Sequence, residues 1–215
     1  MMTNAAWAFA ALAVAFAVTD WWAVVAERMT VRYVAKPATL AALIGVAVTL
    51  DPSVSPAVRT WMVVGLIFSL GGDVFLMLDE KWFVAGLASF LLGHISYIVA
   101  MQIAHESWIA LAAGVVVVVV GVGLIGRRVV VGVASGEHAD MKVPVIGYLT
   151  VISVMVISAF GTAAPWAIIG ALLFYASDAT LAWNRFLTPF RHGNLAVMIT
   201  YHLAQASLVA WLVTG

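Results

Sequence analysis

The sequence contains no cysteine, which excludes disulfide scaffolds, thiol catalysis and cysteine-held metals. Charge is scarce as well. Only 9% of its 215 residues are Asp, Glu, Lys or Arg, whereas an ordinary soluble domain carries about 25%. Ten cations balance ten anions with no basic arm or stripe, so no nucleic-acid partner is expected. What fills the chain is apolar: 65% of the residues are hydrophobic and the mean hydropathy is +1.10. Such a composition cannot build a water-facing surface. The chain reads as an all-α integral membrane protein, because an open strand in hydrocarbon leaves its backbone unsatisfied.

A spanning helix needs roughly 20 mostly apolar residues. Eight runs approach that length, at 4–26, 33–50, 58–78, 82–102, 107–126, 142–161, 164–184 and 193–214, the second being the shortest. The Val115–Val120 run has strand propensity, but within a long apolar run it reads as helix. Between the runs stand turn formers such as Asp51-Pro52-Ser53 and Pro189 to Gly193. Arg127 to Lys142 is the one stretch expected to be a loop of any size, so residues 1–215 form a single transmembrane domain. Nine of the ten Lys and Arg residues lie at the joins 1–2, 3–4, 5–6 and 7–8; the opposite face holds Arg59. Cytoplasmic loops are enriched in these residues, so both termini are expected on the non-cytoplasmic side of a bacterial-type inner or plasma membrane. Arg28 is the first cation, so the first run does not resemble a cleaved signal peptide.

The halves echo one another. Gly72-Asp73-Val74-Phe75-Leu76 resembles Ser177-Asp178-Ala179-Thr180-Leu181, and the span after each carries a mid-span histidine, His94 or His202. Two parallel four-helix repeats, 1–104 and 105–215, would produce this pattern.

Ionisable residues inside a membrane are expensive and usually face a cavity. At about 1.5 Å of rise per residue, Asp73 lies about 8 Å and Asp178 about 9 Å from the cytoplasmic ends of their spans. Matched depth lets two helices bring them to one site. The structural alternative is that each ties helices together, pairing with Lys36 or Arg185. His94 and Tyr97 share a face of one span, and Asn194, Met198, Tyr201 and Gln205 share a stripe of another. One cavity toward the cytoplasmic half, lined by Asp73, His94, Asp178, Tyr201, His202 and Gln205, is therefore expected. Tyr175 and Asn184 flank Asp178 as further substrate-binding candidates, and Lys36, Arg185 and Arg191 are candidates for a phosphate. Asp20, Glu27, Asp79 and Glu80 sit at span ends, where snorkelling accounts for them. No histidine pair has ligand spacing within a span, Ser177 lacks a nucleophile-elbow context, and no lysine sits mid-span for a retinal. Paired carboxylates are the strongest chemistry present, since two environments can divide acid from base.

These residues carry a resemblance. Gly72-Asp73-Val74-Phe75-Leu76-Met77-Leu78, with Phe83, Gly86-Leu87, Ser89-Phe90, Gly93-His94 and Tyr97, resembles the first signature of the YhhN-like (TMEM86) lysoplasmalogenase family. Tyr175-Ala176-Ser177-Asp178 with Leu181-Ala182 and Phe186, then Tyr201-His202-Leu203-Ala204-Gln205, resembles the second. The resemblance implies a compact eight-span fold and hydrolysis of the vinyl ether bond of lysoplasmalogens. The products would be a fatty aldehyde and glycerophosphoethanolamine or glycerophosphocholine. It also implies Asp73 and Asp178 as the catalytic pair, a lysophospholipid partner drawn from membrane lipid, and no metal or organic cofactor. A lipid transporter relaying protons through the same aspartates, or a non-catalytic lipid-binding protein, are the competing readings.

Overall fold

The computed structural model describes residues 1–136 and 139–214; Gly215, at the end of the expected domain, and residues 137–138 of the expected loop lie outside the described residues. Among the described residues every regular element is helical: α1 (Asn4–Val25), α2 (Met29–Thr49), α3 (Pro56–Met77), α4 (Phe83–Ile103), α5 (Trp108–Gly121), α6 (Arg127–Ser135), α7 (Lys142–Gly161), α8 (Pro165–Phe186) and α9 (Gly193–Thr214). Eight segments are long and apolar enough to cross a membrane, and α5 with α6 forms one of them. The protein is an integral membrane protein.

Local signals set the helix starts. The hydroxyls of Thr3, Ser55 and Ser107 accept from the backbone N–H groups of Ala6, Val58 and Ala110, capping α1, α3 and α5. Pro56 and Pro165 occupy first-turn positions, where a missing N–H does no harm. Two expectations are corrected. The second span begins at Met29 rather than at residue 33 and runs through Pro37, although at 21 residues it remains the shortest of the eight spans. The stretch after Gly126 is mostly helix, not loop: a π-helical turn over Val122–Gly126 carries α5 straight into α6. The reason is amphipathicity, since Val129 and Val133 are buried against Phe83, Leu87, Ala182 and Phe186 while Arg127, Arg128, Val131, Ala134 and Ser135 are exposed.

Consecutive spans pair, α1 with α2, α3 with α4, α5 with α7 and α8 with α9, and across the halves α4 packs on α7 and α2 on α9. Lipid tails are as apolar as leucine, so these pairs depend on close packing and polar contacts. Gly93 lets α4 approach α3, where a Cβ would lie 3.1 Å from the Gly65 carbonyl oxygen, and Gly170 does the same for α8, at 3.0 Å from that of Ala204. The loop 51–53 hydrogen-bonds to Met1 and to Leu212, which brings both chain ends to one side of the bundle. The nine cations gather at the other end.

Candidate active site

Asp73 projects from α3 and is wholly buried, with the Lys36 ammonium of α2 3.0 Å from Oδ1. The Tyr201 hydroxyl of α9 donates to its Oδ2 at 2.9 Å. Asp178 projects from α8, where the Tyr148 hydroxyl of α7 donates to Oδ2 at 2.6 Å. His94 Nε2 of α4 lies 3.8 Å from the same oxygen. The two arrangements correspond. Each aspartate meets one donor on the span before its own, Lys36 or Tyr148, and one group on the last span of the opposite half, Tyr201 or His94. By position, His94 therefore matches Tyr201, one residue off the expected match with His202.

Both aspartates line one cavity of about 270 Å³. Its polar wall includes Lys36, Asp73, Tyr148, Tyr175, Asp178 and Tyr201, and its apolar wall includes Phe83, Leu87, Val129, Val145 and Ile152. Ile125 and Gly126, from the π-helical turn, also face it, consistent with the frequent placement of such turns at functional sites.

Several expected residues stand elsewhere. His94, Gln205 and His202 are not on the cavity wall. His94 is buried behind Asp178, its ring 4.6 Å centroid to centroid from Phe174. Gln205 Oε1 accepts from the Tyr97 hydroxyl at 2.7 Å, and that hydroxyl is also 3.4 Å from Ser69. His202 turns to the far side of α9, where Nδ1 accepts from the Trp21 indole at 3.0 Å and the ring borders a separate apolar groove between α1, α2 and α9. A helix stripe fixes which residues share a face, but not which neighbour that face meets. Arg185 lines the cavity yet pairs with Glu80, outside it, and stacks 3.9 Å over the Phe83 ring. It is thus not the partner of Asp178. Asn184 and Arg191 border a second chamber, between the α1–α2 connection and the turn before α9.

Sequence reasoning missed Tyr148, which sits outside both signatures, and misplaced Asp20. That carboxylate does not snorkel: it is fully buried, with Arg32 Nε 3.6 Å away and Lys36 within electrostatic reach. The one available signal was spacing, since Arg32 and Lys36 are four residues apart and share a face of α2. Asp20, Lys36 and Asp73, all buried, form with the half-buried Arg32 a cluster with no net charge. Among the described residues, no three His, Asp or Glu side chains converge as a metal-ligand set.

Fold and site together define a polytopic helical membrane protein whose halves each contribute one aspartate to a shared intramembrane cavity. The chain belongs to the YhhN family, whose sequence profile matches residues 31–212. Among curated proteins it is similar to Lysoplasmalogenase TMEM86B of Homo sapiens, at 32% identity over 142 residues, covering 65% of this chain and 58% of that protein. Lysoplasmalogenase of Mycobacterium bovis is 32% identical over 158 residues, covering 70% of this chain and 59% of that one. Lysoplasmalogenase TMEM86A of Bos taurus is 31% identical over 153 residues, covering 68% and 62%. The chain thus aligns with about three fifths of the length of these relatives. No solved structure matches it.

Proposed function

We propose that this protein is a membrane hydrolase that cleaves the vinyl ether bond of lysoplasmalogen-type lysophospholipids, with Asp73 and Asp178 as its acid and base. The observation that carries the reading is the meeting of the two aspartates at one cavity, in a chain similar to proteins named lysoplasmalogenase.

Vinyl ether cleavage begins with proton transfer to the β-carbon of the C=C–O unit, leaving an oxocarbenium ion. Water adds to the cationic carbon and loses a proton, giving a hemiacetal. The hemiacetal collapses to the fatty aldehyde and the free glycerol hydroxyl. One water is consumed: the carboxylate that took the water proton passes it to the departing glycerol oxygen in the collapse, while the hemiacetal O–H proton restores the acid. The demands parallel those of glycosidases, an acid to donate and a carboxylate to steady the cation and activate water. Asp178, facing the neutral hydroxyl of Tyr148, is assigned the acid. Asp73, beside the Lys36 ammonium, is assigned the carboxylate that takes the water proton, with Tyr201 fixing its orientation. Lys36 therefore serves Asp73 rather than the phosphate.

The apolar wall of Phe83, Leu87, Val129 and Ile152 takes the hydrocarbon chain, and the substrate enters from the cytoplasmic leaflet. This assignment rests on both termini being non-cytoplasmic and the site lying in the cytoplasmic half. The internal echo between the halves supports an origin as two parallel four-helix repeats. The test is direct: purified protein in detergent, incubated with lysoplasmalogen, with fatty aldehyde measured. Aldehyde release that is abolished in Asp178→Asn supports hydrolysis; no release from the wild type rejects it.

A further inference from the structure

Among the described residues, three cations stand on the wall of the aspartate cavity: Arg32, Lys36 and Arg185. Each has a carboxylate of its own. Lys36 Nζ lies 3.0 Å from Asp73 Oδ1, Arg185 pairs with Glu80, and Arg32 Nε lies 3.6 Å from Asp20 Oδ1. Asp178 is different. It meets the Tyr148 hydroxyl and the His94 ring, and no described Lys or Arg pairs with it.

We infer that Asp20 is a positioning residue that cancels the charge of Arg32 and so keeps the cavity wall balanced. The negative charge left when Asp178 gives up its proton is then not offset by a bare guanidinium, and it acts in full on the cation formed in the substrate. The identity of that cation rests on the hydrolase reading; the charge count does not.

Asp20 is placed to act through charge. It is wholly buried, and neither of its carboxylate oxygens has a hydrogen-bond partner among the described residues. The 3.6 Å approach of Arg32 is an ion-pair distance, too long for a hydrogen bond. A carboxylate kept only to tie helices together would be expected to hydrogen-bond across them, as Asp73 does with Tyr201. Burying an ionised carboxylate is expensive, and in a membrane span such a residue usually serves a function. Asp20 also precedes residues 31–212, which the family profile matches, and lies outside both signatures, so no motif draws attention to it.

Its neighbours join it to the site. Lys36 is within electrostatic reach of Asp20 and in contact with Asp73, and both Lys36 and Arg32 face the cavity. Arg32, Asp20, Lys36 and Asp73 therefore alternate in sign from the cavity wall into the interior and back. Before proton transfer, Asp178 and the substrate are both neutral. Afterwards Asp178 is a carboxylate and the substrate carries the positive charge. Fixed charges act strongly in a site that excludes water, and an uncompensated Arg32 would oppose the second state while leaving the first almost untouched.

The test is binding to the full chain in detergent, by titration calorimetry, of two unreactive lysophosphoethanolamines. One is a saturated 1-alkyl ether; the other has a secondary ammonium in place of the ether oxygen, a stable mimic of the cation. The wild type should prefer the ammonium compound. Asp20→Asn should lower that preference about tenfold to a hundredfold, the effect of a unit charge across roughly 6–12 Å at an effective dielectric of about 20. Arg32→Gln should raise it, and the double variant should return it to within about threefold of wild type. Loss of a mere helix tie would weaken both compounds alike, so an unchanged preference in the single variants overturns the inference. If Asp20→Asn does not fold, Arg32→Gln decides: a raised preference upholds the charge balance and an unraised one overturns it. Shifted preferences without aldehyde release from lysoplasmalogen would uphold the balance while rejecting the hydrolase; aldehyde release with unshifted preferences would do the reverse.

Discussion

Asp73 has both a structural and a proposed chemical role, and the two separate in a double variant. Its carboxylate is wholly buried and the Lys36 side chain only 6% exposed, so the 3.0 Å pair is an interior one. Asp73→Asn keeps an oxygen for Tyr201 but leaves the neutral cluster of Asp20, Arg32, Lys36 and Asp73 with one uncompensated positive charge. Breaking a buried pair from one side costs about 3–5 kcal/mol, whereas replacing both partners by neutral groups is often nearly neutral. Asp73→Asn is therefore expected to lower the unfolding free energy by about 3–5 kcal/mol, and Lys36→Met added to it to bring stability back to within about 1 kcal/mol of wild type. The measurement is unfolding by SDS titration of the purified protein, with aldehyde release followed on the same samples below the transition. If Asp73 acts chemically, the stable double variant stays at least about a hundredfold down in rate, the usual contribution of a positioned base. A double variant that recovers stability and rate together would refute the reasoning, leaving Asp73 as a tie between α2, α3 and α9.

Asp178→Asn should reduce aldehyde release at least about a hundredfold, and joined to Asp73→Asn it should lose little more than the worse single variant, since groups acting as a unit are non-additive. Tyr148→Phe, which removes the 2.6 Å donor to Asp178, should slow release by about tenfold, as expected for a hydrogen bond to a charged group; an unchanged rate would take Tyr148 out of the site. His202→Gln should leave the rate near wild type, because that ring lies behind α9; a loss comparable to Asp178→Asn would contradict the cavity assignment. Cysteines placed at Ala5 and Thr214 should react with a membrane-impermeant thiol reagent from the non-cytoplasmic side and one at Gly136 from the cytoplasm, the reverse pattern overturning the orientation. Gly65→Ala would set a Cβ 2.3 Å from the Tyr97 ring, and should destabilise the protein by about 1–3 kcal/mol through overpacking, measured by the same SDS titration.

Much of the fold was legible along the chain because hydrocarbon imposes a local rule. A run of apolar residues must close its own backbone hydrogen bonds, so α1, α3, α4, α8 and α9 fall within a few residues of where the runs lie. Asp73 and Asp178 stood out for the same reason, as charges where the solvent tolerates none. The rule weakens at the membrane edge, where water again satisfies the backbone. There the start of α2 and the helical character of α6 depended on what each packs against, and neither was read correctly.

Contacts between elements far apart in sequence are a different matter. That the chain spans a membrane eight times, and that its two echoing segments carry one carboxylate each, follows from residue identity and spacing alone. Only the tertiary structure decided that Lys36 and Tyr201 close on Asp73 while Tyr148 and His94 close on Asp178, that Arg185 turns to Glu80, and that Asp20 is buried with Arg32 rather than snorkelling. Helical periodicity fixes the direction of a side chain relative to its own axis. The rotation of each helix about that axis, and hence the neighbour it meets, is set by packing across the whole bundle.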